Sequence, residues 1–318
     1  MMRAETSCRP CRWLGVLGLL CGLVSPAYAQ SVQTGHYAPG WNSGLRAGVM
    51  PEAPGWYFLN TTMYFNAQRF RDGSGDVVSR DETDYLLTAL AISWRPDFQL
   101  LGGDYMAVVT PAVGNLSGVP ILVDGEPNDP GVGLTDIYFA PLTLGWHLQD
   151  LDVVAALGGF APTGDYDKDD PTDNTGLGFW TFIPHVAASY RLDRGLFESA
   201  PFLGMGAVRY EIHSNQQGRD FRPGDTLTLE GGVGLELGSR TEAGIMGFHY
   251  RQTTNPNGSD AEPVDKYRSS GIGLHLAHTI GSVALSGRVY RDFDVRNGPQ
   301  GTLAYLEIGF GLPRDRKD

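Results

Sequence analysis

Apolar and polar positions alternate along most of this chain. At 302–313, TLAYLEIGFGLP sets Ala304, Leu306, Ile308, Phe310 and Leu312 on one face and Glu307, Gly309 and Gly311 on the other. A period of two marks a strand, and this stripe fits one with lipid on one side and a polar lumen on the other. The pattern returns at 226–237, where Leu227, Leu229, Val233, Leu235 and Leu237 alternate with Thr226, Thr228, Glu230, Gly232, Gly234 and Glu236. At 179–191, Trp180, Phe182, Val186, Ala188 and Tyr190 oppose Thr181, His185, Ser189 and Arg191. At 269–280, Ile272, Leu274 and Leu276 oppose Gly271, Gly273, His275 and Ala277. Turn chemistry divides the chain into about twelve such segments, at 56–69, 84–94, 104–114, 135–148, 152–162, 179–191, 198–212, 226–237, 243–252, 269–280, 282–291 and 302–312.

One-sided stripes could equally face a sandwich core. The connections discriminate. They alternate long and short: 70–83 long, 95–103 shorter, 115–134 long, 149–151 minimal, 163–178 long, 192–197 short, 213–225 long, 238–242 short, 253–268 long, Gly281 alone, and 292–301 long. An up-and-down barrel with periplasmic turns and extracellular loops has this rhythm, and a secreted sandwich has no reason for it. The expected fold is therefore all-β, a transmembrane up-and-down antiparallel β-barrel of about twelve strands. Trp56, Trp94, Trp146, Trp180, Tyr190, Tyr250, Tyr290 and Phe310 fall near strand ends, where girdle rings meet lipid headgroups, although strands favour aromatics in any β-protein.

The first 29 residues read as a signal peptide: Arg3, Arg9 and Arg12, then an apolar run at 13–24, then Ala27-Tyr28-Ala29. Residues 30–55 have no strand pattern and read as a loose periplasmic tail, with a plug folded into the lumen as the alternative; 56–318 is the barrel. All three cysteines, Cys8, Cys11 and Cys21, lie in the leader, which excludes disulfides, thiolate catalysis and cysteine-held metals from the mature chain. Removing the leader's three arginines and one glutamate moves the net charge from −12 to −14, unsuited to a nucleic-acid partner. Glycine, 43 of 318 residues, fits close packing and bends inside strands.

Local motifs for chemistry are weak. Asp165, Asp167, Asp169 and Asp170 begin like a calcium loop, but Asp170 and Gly176 stand where a turn glycine and a bidentate glutamate belong, so the stretch reads as a solvated acidic loop. His249 with Ser259 or Ser270 would be the raw material of a hydrolase, without a nucleophile motif around them. No metal or cofactor is expected. The stripe assignment sends His185, Arg191, Glu230, Glu236, His249, Arg251, His275, Arg288 and Glu307 toward the lumen. Mixed signs there favour mutual pairing, and the sharper alternative is a permeation path or polar gate.

The stretch 133–147, GLTDIYFAPLTLGWH, is followed by APTGDYD at 161–167, then Asp173-Asn174-Thr175-Gly176, then FWTFIP at 179–184. In that order these resemble the outer-membrane family named for the meta pathway of phenol degradation, whose members are described as transporters. The resemblance implies an outer-membrane barrel of a Gram-negative bacterium that admits hydrophobic or aromatic, phenol-like compounds, and it carries no catalytic residues. Pro141 and Pro184, inside strand patterns, become candidate bends that could open a side path. The expected function is a channel for small hydrophobic solutes. A structural or adhesive barrel and an outer-membrane hydrolase are the alternatives. Outer-membrane lipid, the solute and the barrel-assembly machinery are the expected partners.

Overall fold

The computed structural model describes residues 35–115, 122–123, 126–127, 131–170, 173–261 and 265–314. The proposed signal peptide and the three cysteines lie outside them. Twelve long strands follow one another around a single sheet: β1 (Gly55–Arg71), β2 (Thr83–Arg95), β3 (Gly103–Thr110), β4 (Ile137–Leu148), β5 (Leu151–Ala161), β6 (Thr181–Leu192), β7 (Phe202–His213), β8 (Thr226–Glu236), β9 (Thr241–Gln252), β10 (Arg268–Ile280), β11 (Val283–Arg296) and β12 (Gly298–Pro313). Each pairs antiparallel with its sequence neighbours, and four short pieces extend the same sheet. β1 pairs on one side with β2 and on the other with β12, from Gly55↔Pro313 to Arg71↔Gly298, so the sheet closes on itself. Closure matters because a strand edge in hydrocarbon would leave backbone groups without partners.

Side chains alternate across the wall as the period of two requires. Ile272, Leu274, Leu276, Val289, Leu306 and Phe310 are largely exposed on the outside. Aromatic rings sit at both ends of this apolar band. Trp56 lies 6.3 Å from Trp94, and Phe58 stacks on Phe310 at 5.2 Å, near the short turns. Trp180, Phe182 and Phe293 are about half exposed toward the long-loop end.

Short turns use positive φ where the chain must reverse, at Gln149 (φ 50°) and Gly281 (φ 61°). The last connection differs from the expected long loop at 292–301. β11 and β12 extend through it and turn at Asn297 (φ 52°), β11 pairing with β10 as far as Arg296 and β12 with β1 as far as Gly298. Its glycine, proline and asparagine read as loop residues, yet they continue the two strands upward, with their rungs going to β10 on one side and β1 on the other.

Two prolines interrupt the wall. Register shifts on both sides of Pro141, between Phe139 and Leu142 toward β5 and between Ala140 and Thr143 toward β3, and its carbonyl accepts the Tyr105 hydroxyl at 2.6 Å. Pro184 pairs with Leu157 of β5, but toward β7 no rung lies between Phe182 and His185.

Residues 35–54 lie inside the barrel, unlike the loose tail that their composition suggested. His36, Tyr37, Ala38, Ser43, Leu45 and Met50 are all buried. The segment rises from the short-turn end, where Met50 packs on Gly145, to the long-loop end, where Gly35 donates to the Tyr250 hydroxyl at 3.0 Å. Its apolar side chains join one core with the inner wall, including Ala38, Leu45, Met63, Phe65, Met246, Leu303 and Tyr305. Small residues let the segment lie against the wall: a Cβ at Gly48 would meet the backbone of Ala188 and Ser189 at 2.5–2.8 Å.

Candidate functional site

The lumen segment is held at three levels by inward-facing polar side chains. At the top, His36 sits between aromatic rings, stacked on Phe160 at 4.6 Å and edge-on to Phe179 at 4.8 Å. Its Nε2 lies 2.8 Å from Asp136 and its Nδ1 2.7 Å from the Thr181 hydroxyl, which is also 2.8 Å from His213. Asp136 accepts further bonds from the backbone N–H groups of Thr163 and Gly164 (2.9 Å each) and Leu177 (2.7 Å). One carboxylate thus joins the lumen segment to both ends of the long loop 163–178. Burial pushes the Asp136 carboxyl up, but the hydrogen bond and charge of His36, with the Leu177 and Gly164 N–H groups, outweigh it and hold the group below the usual carboxylate range.

At mid-height, Glu230 accepts the Tyr37 hydroxyl (2.9 Å) and the Gly40 N–H (2.7 Å) and pairs with buried Arg209, whose guanidinium lies over the Tyr37 ring. Glu211 accepts the Tyr37 N–H at 3.0 Å and the Thr226 hydroxyl at 2.5 Å. On the next strands, Arg288 grips Glu307 in a two-pronged pair (2.6 and 2.8 Å) and donates to the Trp41 carbonyl at 3.1 Å. Ser43 bonds the Tyr290 hydroxyl at 2.7 Å, and the Tyr305 hydroxyl donates to the Pro39 carbonyl at 2.7 Å. At the bottom, Arg46 bridges Glu236 (2.8 Å) and Glu242, and Glu236 also takes Arg191 at 3.1 Å.

These contacts are one-sided. Apart from His36 with Asp136, the polar side-chain partners of 35–48 described here belong to β6–β12. The opposite inner wall is mostly apolar, with Thr61 and Ser93 set among its aliphatic side chains. Leu59 faces Ala91, Met63 faces Leu87, and Val108 and Met106 follow on β3. Leu59, Leu87, Ala91, Met106 and Val108 are only half-buried. Below them, Arg95 pairs with Asp104 at 2.8 Å and His147 with Asp152 at 2.5 Å.

Seven of the nine residues read as lumen-facing from sequence point inward: His185, Arg191, Glu230, Glu236, His275, Arg288 and Glu307. His275 is buried next to the Arg288–Glu307 pair, opposite Gly44, and among the described residues neither of its ring nitrogens has a hydrogen-bond partner. His249 and Arg251 point outward, contrary to the stripe assignment. In β9 the neighbours Met246, Phe248 and Tyr250 take the inward positions and are buried, which turns His249 and Arg251 to the outer face near the long-loop end. Alternation alone left the phase of β9 ambiguous, because Gly247 breaks the outer stripe there.

His249 does reach Ser270, 2.9 Å away on the outer face, but among the described residues no carboxylate bonds its other ring nitrogen. Ser259 is elsewhere, bonded to Asp220, whose carboxyl its N–H and hydroxyl hold below the ordinary range.

Sequence reasoning missed His36, Asp136, Arg209, Glu211 and Glu242. Only Asp136 carried a signal, as the acid of the G-x-x-D stretch beginning at Gly133.

Comparisons with known proteins agree with this architecture. A model of the family described as "Putative MetA-pathway of phenol degradation" matches residues 67–308. No curated protein matches the chain. Among solved structures, an outer membrane channel from Pseudomonas putida F1 shares the fold with a TM-score of 0.66 at 16% identity, covering 87% of this chain and 100% of that one. The NanC porin gives a looser likeness, with a TM-score of 0.42 at 10% identity, covering 80% of this chain and 100% of that one.

Proposed function

The chain belongs to this phenol-degradation family, and from that premise we propose that it is an outer-membrane channel of a Gram-negative bacterium for small hydrophobic solutes, aromatic ones included. The observation that carries the reading is the division of the inner wall. The lumen segment is fastened by hydrogen bonds to β6–β12, and its polar groups are spent there. The wall of β1–β3 keeps half-buried Leu59, Leu87, Ala91, Met106 and Val108. An apolar solute moving along that wall displaces water from apolar surface, whereas a hydrated ion gains no replacement for its water there. The filled lumen argues for slow, selective passage rather than a wide general pore.

The test is flux into liposomes that carry the purified protein, with phenol-like, aliphatic and sugar solutes compared. Entry of phenol-like solutes well above empty liposomes, with sugars near background, is expected. A strain lacking the gene should grow more slowly on the same aromatic compounds. Flux no greater than empty liposomes together with unchanged growth would favour a structural barrel.

A further inference from the structure

The outer face of β9–β11 carries a second feature, unrelated to the lumen. Arg251 lies directly opposite Arg268 across the β9–β10 ladder, and Arg268 opposite Arg296 across β10–β11. Three arginines on adjacent strands therefore stand in one row. They face outward: Arg251 and Arg296 are exposed, and the inward places beside them are filled by buried Gln252, Ser269 and Val295. Below the row, Arg291 is exposed and, among the described residues, bonded only to neutral partners, Gln68 at 2.6 Å and Thr302 at 2.8 Å. Lys266, two residues before Arg268, donates to the Thr253 carbonyl at 2.6 Å.

Like charges directly opposite on a ladder repel and destabilise the pairing. Among the described residues little offsets this repulsion. Asp294 pairs with Arg268 at 2.6 Å, but among the described residues Arg251, Arg291 and Arg296 are in no ion pair. Arg268 Nε is buried without a hydrogen-bond partner among the described residues. The concentration of positive charge is local, in a chain of net charge −12. The corresponding rim near β1–β2 carries Asp84 instead, bonded to Tyr64 and Asn66.

The position selects the ligand. Ile272, Leu274, Leu276 and Val289 form the apolar band on these strands, and Phe293 stands at its upper edge, 50% exposed. Arg268 is four residues beyond Ile272, about 13 Å along the strand, which is headgroup height at the long-loop end. We propose that the row Arg251–Arg268–Arg296 binds the phosphorylated headgroup of an outer-leaflet glycolipid, with the acyl chains lying along Ile272, Leu274 and Val289. Guanidinium groups suit this, because each can take two phosphate oxygens at once. The bound phosphates supply the counter-charge that the ladder lacks.

The experiment uses the full-length chain in zwitterionic detergent, titrated with bis-phosphorylated lipid A and followed by native mass spectrometry. Dephosphorylated lipid A is the second probe and inorganic phosphate the competitor. One saturable lipid A site is expected, at least about tenfold tighter than for the dephosphorylated lipid. The triple variant Arg251→Gln/Arg268→Gln/Arg296→Gln should lose that difference, and Arg240→Gln, on a short turn, should keep it. Equal binding of the two lipids, or unchanged binding by the triple variant, would overturn the proposal. Displacement of lipid A by millimolar inorganic phosphate would also overturn it, by assigning the row to a free anion. If the triple variant fails to give a heat-modifiable barrel, Arg251→Gln alone should weaken lipid A binding about threefold, and an unchanged affinity rejects the site.

Discussion

Asp136 shows how much one side chain can coordinate. It accepts bonds from His36 in the lumen, from Thr163 and Gly164 after β5, and from Leu177 before β6. Asp136→Ala leaves three backbone N–H groups and the buried His36 imidazole without this acceptor, at a cost of about 1–3 kcal/mol. The variant should lower the temperature at which the heat-modified band appears on gels and raise single-channel conductance by releasing the top of the lumen segment; wild-type conductance would refute the clamp. Because the folded carboxyl is held below its unfolded value, its contribution is complete above about pH 4 and is lost as pH falls through the lowered folded value. The sequence displayed Asp136 as a motif residue without its task, because its partners come from residues 36, 163, 164 and 177, too far apart for any local pattern. His249 and Arg251 failed for the opposite reason: a local pattern existed, but which face met the lumen depended on packing against Leu45 and its neighbours.

Whole strands were far more legible than single side chains. All twelve segments read from alternation correspond to strands of the barrel, since lipid outside and polar groups inside impose the period on every one. The exceptions are instructive. The β11–β12 hairpin hid behind turn residues, because nothing in a sequence separates a solvated loop from a solvated hairpin. Residues 35–54 hid for lack of any period, since an irregular segment can bury itself when the wall supplies its hydrogen bonds. Deleting 36–50 tests how far that segment limits passage. The closed ladder does not include it, so the shortened chain should still run as a heat-modifiable barrel, and its ion conductance should rise severalfold. Unchanged conductance would mean that the segment leaves the path open already.

For the molecule as a whole, the connections define two unlike ends. Single cysteines at Asp167 and Asn257 should react with an impermeant maleimide on intact cells, and one at Gly238 should react only after the outer membrane is opened. Labelling of Gly238 in intact cells would reverse the orientation. The β1–β12 seam also has a consequence in time. Gly55 and Pro313 begin a ladder whose two strands lie at opposite ends of the barrel sequence. Bringing them together costs roughly 5 kcal/mol of chain entropy before any rung forms. Until then two long edges stand open to other chains. The lumen segment adds to the delay, because its partners Tyr290 and Tyr305 lie on the two final strands. Neither the seam nor the lumen filling can be completed until nearly the entire polypeptide has been delivered, so sealing and closure belong to one late, slow event. Speed in making this protein is therefore set at a single joint, where a catalyst that holds β1 open and hands it to β12 would gain the most.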